Sequence, residues 1–228
     1  MKYDILTLFP DIIQQYCQEG VIGRAWKTKQ CLDIAIHDIR EYSSQKHGKV
    51  DDSPFGGGPG MIMQIDPIYQ CLRDIIESSP ETQKHILFPS PSGNQFTQEK
   101  ALEYSQIEHI ILICGRYEGI DYRVEQYLSH ESISVGPYVL SGGELPALLI
   151  LDAVSRHIPG VLGNPQSAQD ETWMTGESEY PQYTRPAAYR PEDPHLVSPQ
   201  APQQWSVPEV LLSGDHAAIQ KWRDDHSW

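Results

Sequence analysis

Five short apolar runs separated by segments of helical periodicity constrain this chain more than any other feature. Ile5 to Phe9, Leu32 to Ile36, His85 to Phe88, Ile110 to Cys114 and Ser132 to Val135 read as strands. Asp66-Pro67 reads as a cap with Pro at the first helical position, and Ile68, Cys71, Leu72, Ile75 and Ile76 form the apolar face that follows. Thr97 before Lys100-Ala101-Leu102, and Asp121 before Val124 and Tyr127-Leu128, predict two more helices; Leu145 to His157 predicts another. Strand alternating with helix implies an α/β domain built on a mainly parallel sheet. In the Leu145 to His157 segment, Leu145, Leu148, Leu149, Leu151 and Val154 leave little polar face, so this helix is predicted to be buried.

Three glycine-rich junctions interrupt this alternation. Asp51-Asp-Ser-Pro-Phe-Gly-Gly-Gly-Pro-Gly60-Met61 is too polar and too rich in glycine to pack as a helix or strand interior. It fits neither a phosphate loop, which needs Gly-Lys-Ser/Thr, nor the G-x-G-x-x-G spacing. Ile110 to Cys114 breaks at Gly115 and presents Arg116, Tyr117 and Glu118 on the following loop, where charge and aromatic area suit a ligand. Val135-Gly-Pro-Tyr-Val-Leu-Ser-Gly-Gly-Glu-Leu-Pro146 joins a strand end to a helix whose first turn holds Glu144 and Pro146, favourable for the dipole and for the missing N–H respectively.

The chain has 228 residues, enough for one full domain and a small appendage. At 39% hydrophobic and 21% charged residues it reads as an ordinary soluble globular protein, expected in the cytoplasm and without a membrane span or signal sequence. Cys17, Cys31, Cys71 and Cys114 show no metal-ligand spacing and are expected to be reduced and mostly buried. A net charge of −14 opposes phosphate binding over the surface as a whole. Residues 1–50 are the exception, with 7 Lys/Arg against 6 Asp/Glu; Arg24, Lys27, Lys29, Arg40, Lys46 and Lys49, with His37 and His47, are candidates for a basic strip or simply a solvated face.

Together with Leu6-Thr-Leu-Phe-Pro10 and Ile158-Pro-Gly-Val-Leu-Gly163, these junctions resemble the bacterial tRNA (guanine-N1)-methyltransferase family, TrmD, from about Lys2 to Arg223. The resemblance implies a SPOUT-type parallel sheet with a deep trefoil knot, a homodimer, a tRNA substrate modified at N1 of guanine 37 beside the anticodon, and S-adenosylmethionine as methyl donor. It places that cofactor among Phe88, Pro89, Ser90, Pro91 and Gly93; Gly115, Arg116, Tyr117 and Glu118; and Val135, Gly136, Tyr138, Leu140, Gly142, Gly143 and Pro146. Glu118 could sense the sulfonium charge or a magnesium ion. Arg156, in Ser155-Arg156-His157-Ile158-Pro159-Gly160, is the candidate for stabilising charge on guanine O6. The family's catalytic aspartate aligns with Glu171, with Asp170 as the neighbouring alternative.

The expected organisation is a knotted domain over residues 1–160, a proline-rich linker or lid over 161–202, and a shortened helical domain over 203–228 with Ile219 and Trp222 on one face. Gly136-Pro137-Tyr138 stands where the family has Gly-Asp-Tyr, Ser53 where it has a basic residue, and Glu177-Ser178 where it has an apolar pair. These departures give a second reading, a diverged homologue that binds cofactor or RNA with weak, altered or no methyl transfer.

Overall fold

The computed structural model describes residues 1–163, 180–193, 198 and 200–227. The chain forms two compact units, Met1–Ala168 and Gln169–Trp228. In order along the first are β1 (Lys2–Thr7), α1 (Pro10–Gln18), α2 (Gly20–Gly23), β2 (Asp33–Asp38), β3 (Asp51–Asp52), β4 (Ile62–Met63), α3 (Ile65–Ser78), β5 (Lys84–Gln95), α4 (Gln98–Tyr104), β6 (His109–Ile113), α5 (Tyr122–Tyr127), β7 (Glu131–Ser134) and α6 (Glu144–Ser155). The five expected strands form one sheet in the order β2-β1-β6-β5-β7, and all four pairings are parallel. Among the described residues of the second unit, β8 (Ala188–Tyr189) pairs antiparallel with β9 (Trp205–Ser206), followed by α7 (Glu209–Leu212) and α8 (His216–His226).

The two-residue period of β6 shows why the sheet is covered on both sides. Ile110, Leu112 and Cys114 face a core with Ile13 and Cys17 of α1, Ala101 and Tyr104 of α4, and Ala147, Ile150, Leu151 and Val154 of α6. Ile111 and Ile113 face the opposite core, with Ile68, Cys71, Leu72 and Ile75 of α3 and Val124 of α5. Each such side chain, fully withdrawn from water, contributes roughly 1.5–3 kcal/mol before chain entropy is counted. The cysteines are free thiols, with Cys17, Cys71 and Cys114 buried and Cys31 partly so.

Two local expectations need correction. Asp66 does not cap α3: the helix begins at Ile65 after Gln64, so Asp66 and Pro67 lie inside the first turn, where an acidic side chain and a residue without N–H still fit. The α6 helix is not buried all round, because Leu145 and Leu149 are 61% and 42% exposed. Its other faces pack on the sheet, and neither residue lies in that packed core. Thr97 and Asp121 do cap α4 and α5, accepting from the backbone N–H of Lys100 and Arg123.

Asp4 introduces a charge into this interior. It is 1% exposed and accepts hydrogen bonds from His37 Nε2 and His109 Nε2, with Lys2 Nζ 3.3 Å away. Burial alone would raise its pKa, but the hydrogen bonds from His109 and His37 outweigh it and hold the carboxyl well below the usual range. His37 therefore belongs to a buried network rather than to a free basic strip. Arg40 likewise donates to Leu8 O, and Lys29 to Gly160 O at 2.6 Å.

Candidate active site

The carboxyl ends of β6 and β7, and the middle of β5 where its register with β7 shifts between Pro89 and Asn94, open into one cavity of about 320 Å³. In open α/β sheets ligands bind at this end of the strands, and the volume lies at the lower end of the range for small-molecule sites. Of the sixteen residues expected to hold the cofactor, fifteen line it: Phe88 to Pro91, Gly115 to Glu118, Val135, Gly136, Tyr138, Leu140, Gly142, Gly143 and Pro146. Gly93 does not. A Cβ there would lie 2.4 Å from Ser132 C, so Gly93 serves the close approach of β5 to β7 behind the wall.

Backbone constraints shape the wall. A Cβ on Gly143 would fall 2.6 Å from Cys114 Cα and 2.7 Å from Gly115 N, and Gly143 N–H donates to Gly115 O at 2.8 Å. Only glycine lets the start of α6 sit against the end of β6. Tyr117 takes a left-handed φ of 60°, a conformation uncommon for a residue with a side chain and tolerated where the surroundings impose it. The glycine-rich loop before β4 lies against the same loop: Glu118 N–H donates to Met61 O at 3.1 Å, and Met63 N–H to Gly119 O at 3.0 Å. Between Ser134 and Tyr138 the chain closes on itself, with Ser134 Oγ donating to Gly136 O and Tyr138 Oη to Val135 O.

Arg116 is more constrained than its sequence suggested. Its Nε donates to Glu144 Oε2 at 2.8 Å, its Nη1 donates to Ser141 O at 3.2 Å, and its guanidinium lies 4.3 Å from the Phe9 ring centre. Cys114, directly below, is fully enclosed; burial first and the Glu144 charge second push its thiol well above the ordinary value, so it is an inert core group. Arg156 is the C-cap of α6 and partly buried, with its backbone N–H donating to Asp152 O at 3.2 Å. Glu171 and Asp170 lie outside the described residues.

Sequence reasoning missed several cavity residues, among them Gly119, Ile120, Glu125, Ile133 and Ser134. Gly119 and Ser134 were recoverable as neighbours of marked loop residues, whereas Glu125 arrives from α5 by tertiary packing alone. Among the described residues no group of three His, Cys, Asp or Glu side chains could hold a metal ion.

Comparison with known proteins gives the same direction. The family model described as tRNA (Guanine-1)-methyltransferase TrmD matches residues 1–228. A protein of Ruminiclostridium cellulolyticum named tRNA (guanine-N(1)-)-methyltransferase is 48% identical over 227 residues, covering 100% of this chain and 91% of the relative. Proteins of the same name from Halalkalibacterium halodurans and Dehalococcoides mccartyi are 44% and 43% identical, each aligned over 100% of this chain and 86% of the relative.

Proposed function

The chain belongs to the TrmD family of tRNA (guanine-1)-methyltransferases, and from that premise we propose that it methylates N1 of guanine 37, beside the anticodon, with S-adenosylmethionine held in the cavity beside β5, β6 and β7. It is an enzyme of tRNA modification. The observation that carries the cofactor assignment is the convergence of three segments, distant in sequence, on one cavity where Gly115, Gly119, Gly136, Gly142 and Gly143 leave backbone accessible between the lining side chains. Such a wall offers N–H and C=O groups to the edges of a purine and room for a bulky nucleoside. When bound, S-adenosylmethionine supplies an electrophilic methyl group on a sulfonium sulfur.

The chain's own groups have three tasks: hold the donor, accept the N1 proton, and stabilise charge on O6. We assign the last to Arg156, whose fixed fork of donors suits an oxyanion. The proton goes to the carboxylate of Glu171, or of Asp170 if the register differs by one residue. An ordinary Glu pKa near 4.3 would make it a weak base for guanine N1, so it would have to act in concert with methyl transfer or be desolvated.

The knot, the homodimer, the linker or lid over residues 161–202, much of which lies outside the described residues, and a cytoplasmic location belong to this same reading. Exposed Val139, Leu145 and Leu149 support the homodimer, because they leave apolar area beside the cavity that a second copy would cover. No helix among the described residues is long and apolar enough to cross a membrane. The non-catalytic alternative is not favoured, given identities of 40–48% to proteins named as methyltransferases.

Calorimetry with S-adenosylmethionine, paired with methyl transfer to unmodified tRNA and to the same tRNA with adenine at position 37, tests the assignment. Binding and transfer to the guanine-37 substrate alone are expected. Binding without transfer would instead support a diverged homologue, and equal transfer to both substrates would overturn the position assigned. Sedimentation at micromolar concentration should show a dimer.

A further inference from the structure

Among the described residues adjoining the cavity, Glu144 is the one buried acidic side chain, at 1% exposure, and the cofactor reading gives it no part. Its two oxygens are fully engaged. Thr7 Oγ1 donates to Oε1 at 2.7 Å, and Arg116 Nε donates to Oε2 at 2.8 Å. The Thr7 hydroxyl also accepts from Phe9 N–H at 2.9 Å, and the Phe9 ring lies beneath the same guanidinium. A Cβ on Gly142 would fall 2.3 Å from Arg116 Nε, so the loop before α6 is pressed against this bracket. Strand β1, the loop after β6 and the start of α6 thus meet at one partly buried ion pair whose arginine lines the cavity.

A cavity that takes a sulfonium cation is poorly served by an unpaired arginine in its wall, since like charges in a partly dry site repel strongly. A carboxylate at hydrogen-bond distance removes that repulsion. We infer that Glu144 is a positioning residue which, oriented by Thr7, fixes Arg116 in the cavity wall and cancels its charge, so that the site accepts the cationic methyl donor as readily as a neutral nucleoside thioether. The inference rests on the cofactor reading above. Its distinct content is electrostatic: the pair sets the ratio of affinities for S-adenosylmethionine, which is charged at sulfur, and S-adenosylhomocysteine, which is not.

The test is calorimetric titration of the full-length protein and its variants with both compounds. Glu144→Gln keeps the shape and leaves Arg116 uncompensated, so affinity for the sulfonium should fall about tenfold more than affinity for the thioether. Adding Arg116→Met to that variant removes the stray charge and should return the ratio to the wild-type value, even if both affinities are lower. Glu144→Asp, which shortens the reach and keeps the charge, should leave the ratio unchanged. Should Glu144→Gln fail to fold, Arg116→Met alone at pH 8 leaves the carboxylate uncompensated, and the ratio should tilt toward the sulfonium. Equal losses for the two compounds in Glu144→Gln, or no tilt in Arg116→Met, would reduce the pair to structural support and overturn the inference while leaving the cofactor reading intact. Wild-type protein that binds neither compound would overturn the cofactor reading itself, and the inference with it.

Discussion

Substituting Gly143 by alanine tests whether the cavity wall depends on one close backbone approach. The new Cβ would lie 2.6 Å from Cys114 Cα, and regaining an ordinary 3.4 Å contact requires roughly 0.8 Å of movement between α6 and β6. Both partners are backbone, so no rotamer change relieves the overlap. That movement stretches the 2.8 Å bond from Gly143 N–H to Gly115 O beyond the usual hydrogen-bond range of about 3.2 Å. Overpacking costs about 1–3 kcal/mol and the lost bond about 1 kcal/mol, giving roughly 2–4 kcal/mol in total. For a protein of this size that lowers the melting temperature by roughly 5–15 °C. Gly143 and Gly115 both line the cavity, so cofactor affinity, measured by calorimetry well below the melting temperature, should fall by about tenfold or more. A variant that melts within 2 °C or so of wild type and binds the cofactor equally would show that α6 adjusts freely, and would refute the reasoning.

Three further outcomes are expected. Arg156→Ala should slow single-turnover methyl transfer by roughly 10²-fold or more with cofactor affinity nearly unchanged, and unaltered turnover would remove Arg156 from the chemistry. Glu171→Gln should abolish turnover while tRNA and cofactor still bind, with Asp170→Asn milder; the reverse ranking would assign the base to Asp170. The depressed pKa of Asp4 gives stability that is present above its unfolded value of about 3.9 and is lost as pH falls through the lower folded value. Asp4→Asn should therefore melt below wild type at neutral pH and approach it in acid, whereas parallel melting curves from pH 2 to 7 would contradict the network's role.

Strand positions and the glycine junctions after β6 and β7 were legible in the sequence because each depends on local chemistry, whereas Phe88 to Pro91 were assigned to the cavity only through the family resemblance. Apolar runs such as Ile110 to Cys114 cannot remain in water, the caps Thr97 and Asp121 act within three residues, and glycine junctions mark where backbone must come close to backbone. What local pattern could not supply was partnership between distant charges. Glu144 read as a first-turn acid suited to a helix dipole, and Arg116 as a side chain awaiting a ligand; the sheet order brings them to 2.8 Å and adds Thr7 from β1. His37 read as part of a basic strip until β1, β2 and β6 aligned it with Asp4 and His109. The exposure of Leu145 and Leu149 was equally hidden, since periodicity reports that a helix is apolar but not which neighbours are present to cover it. Burial is a property of the assembled chain: the sequence determined which groups must leave water, and only the tertiary structure decided which of them do so together.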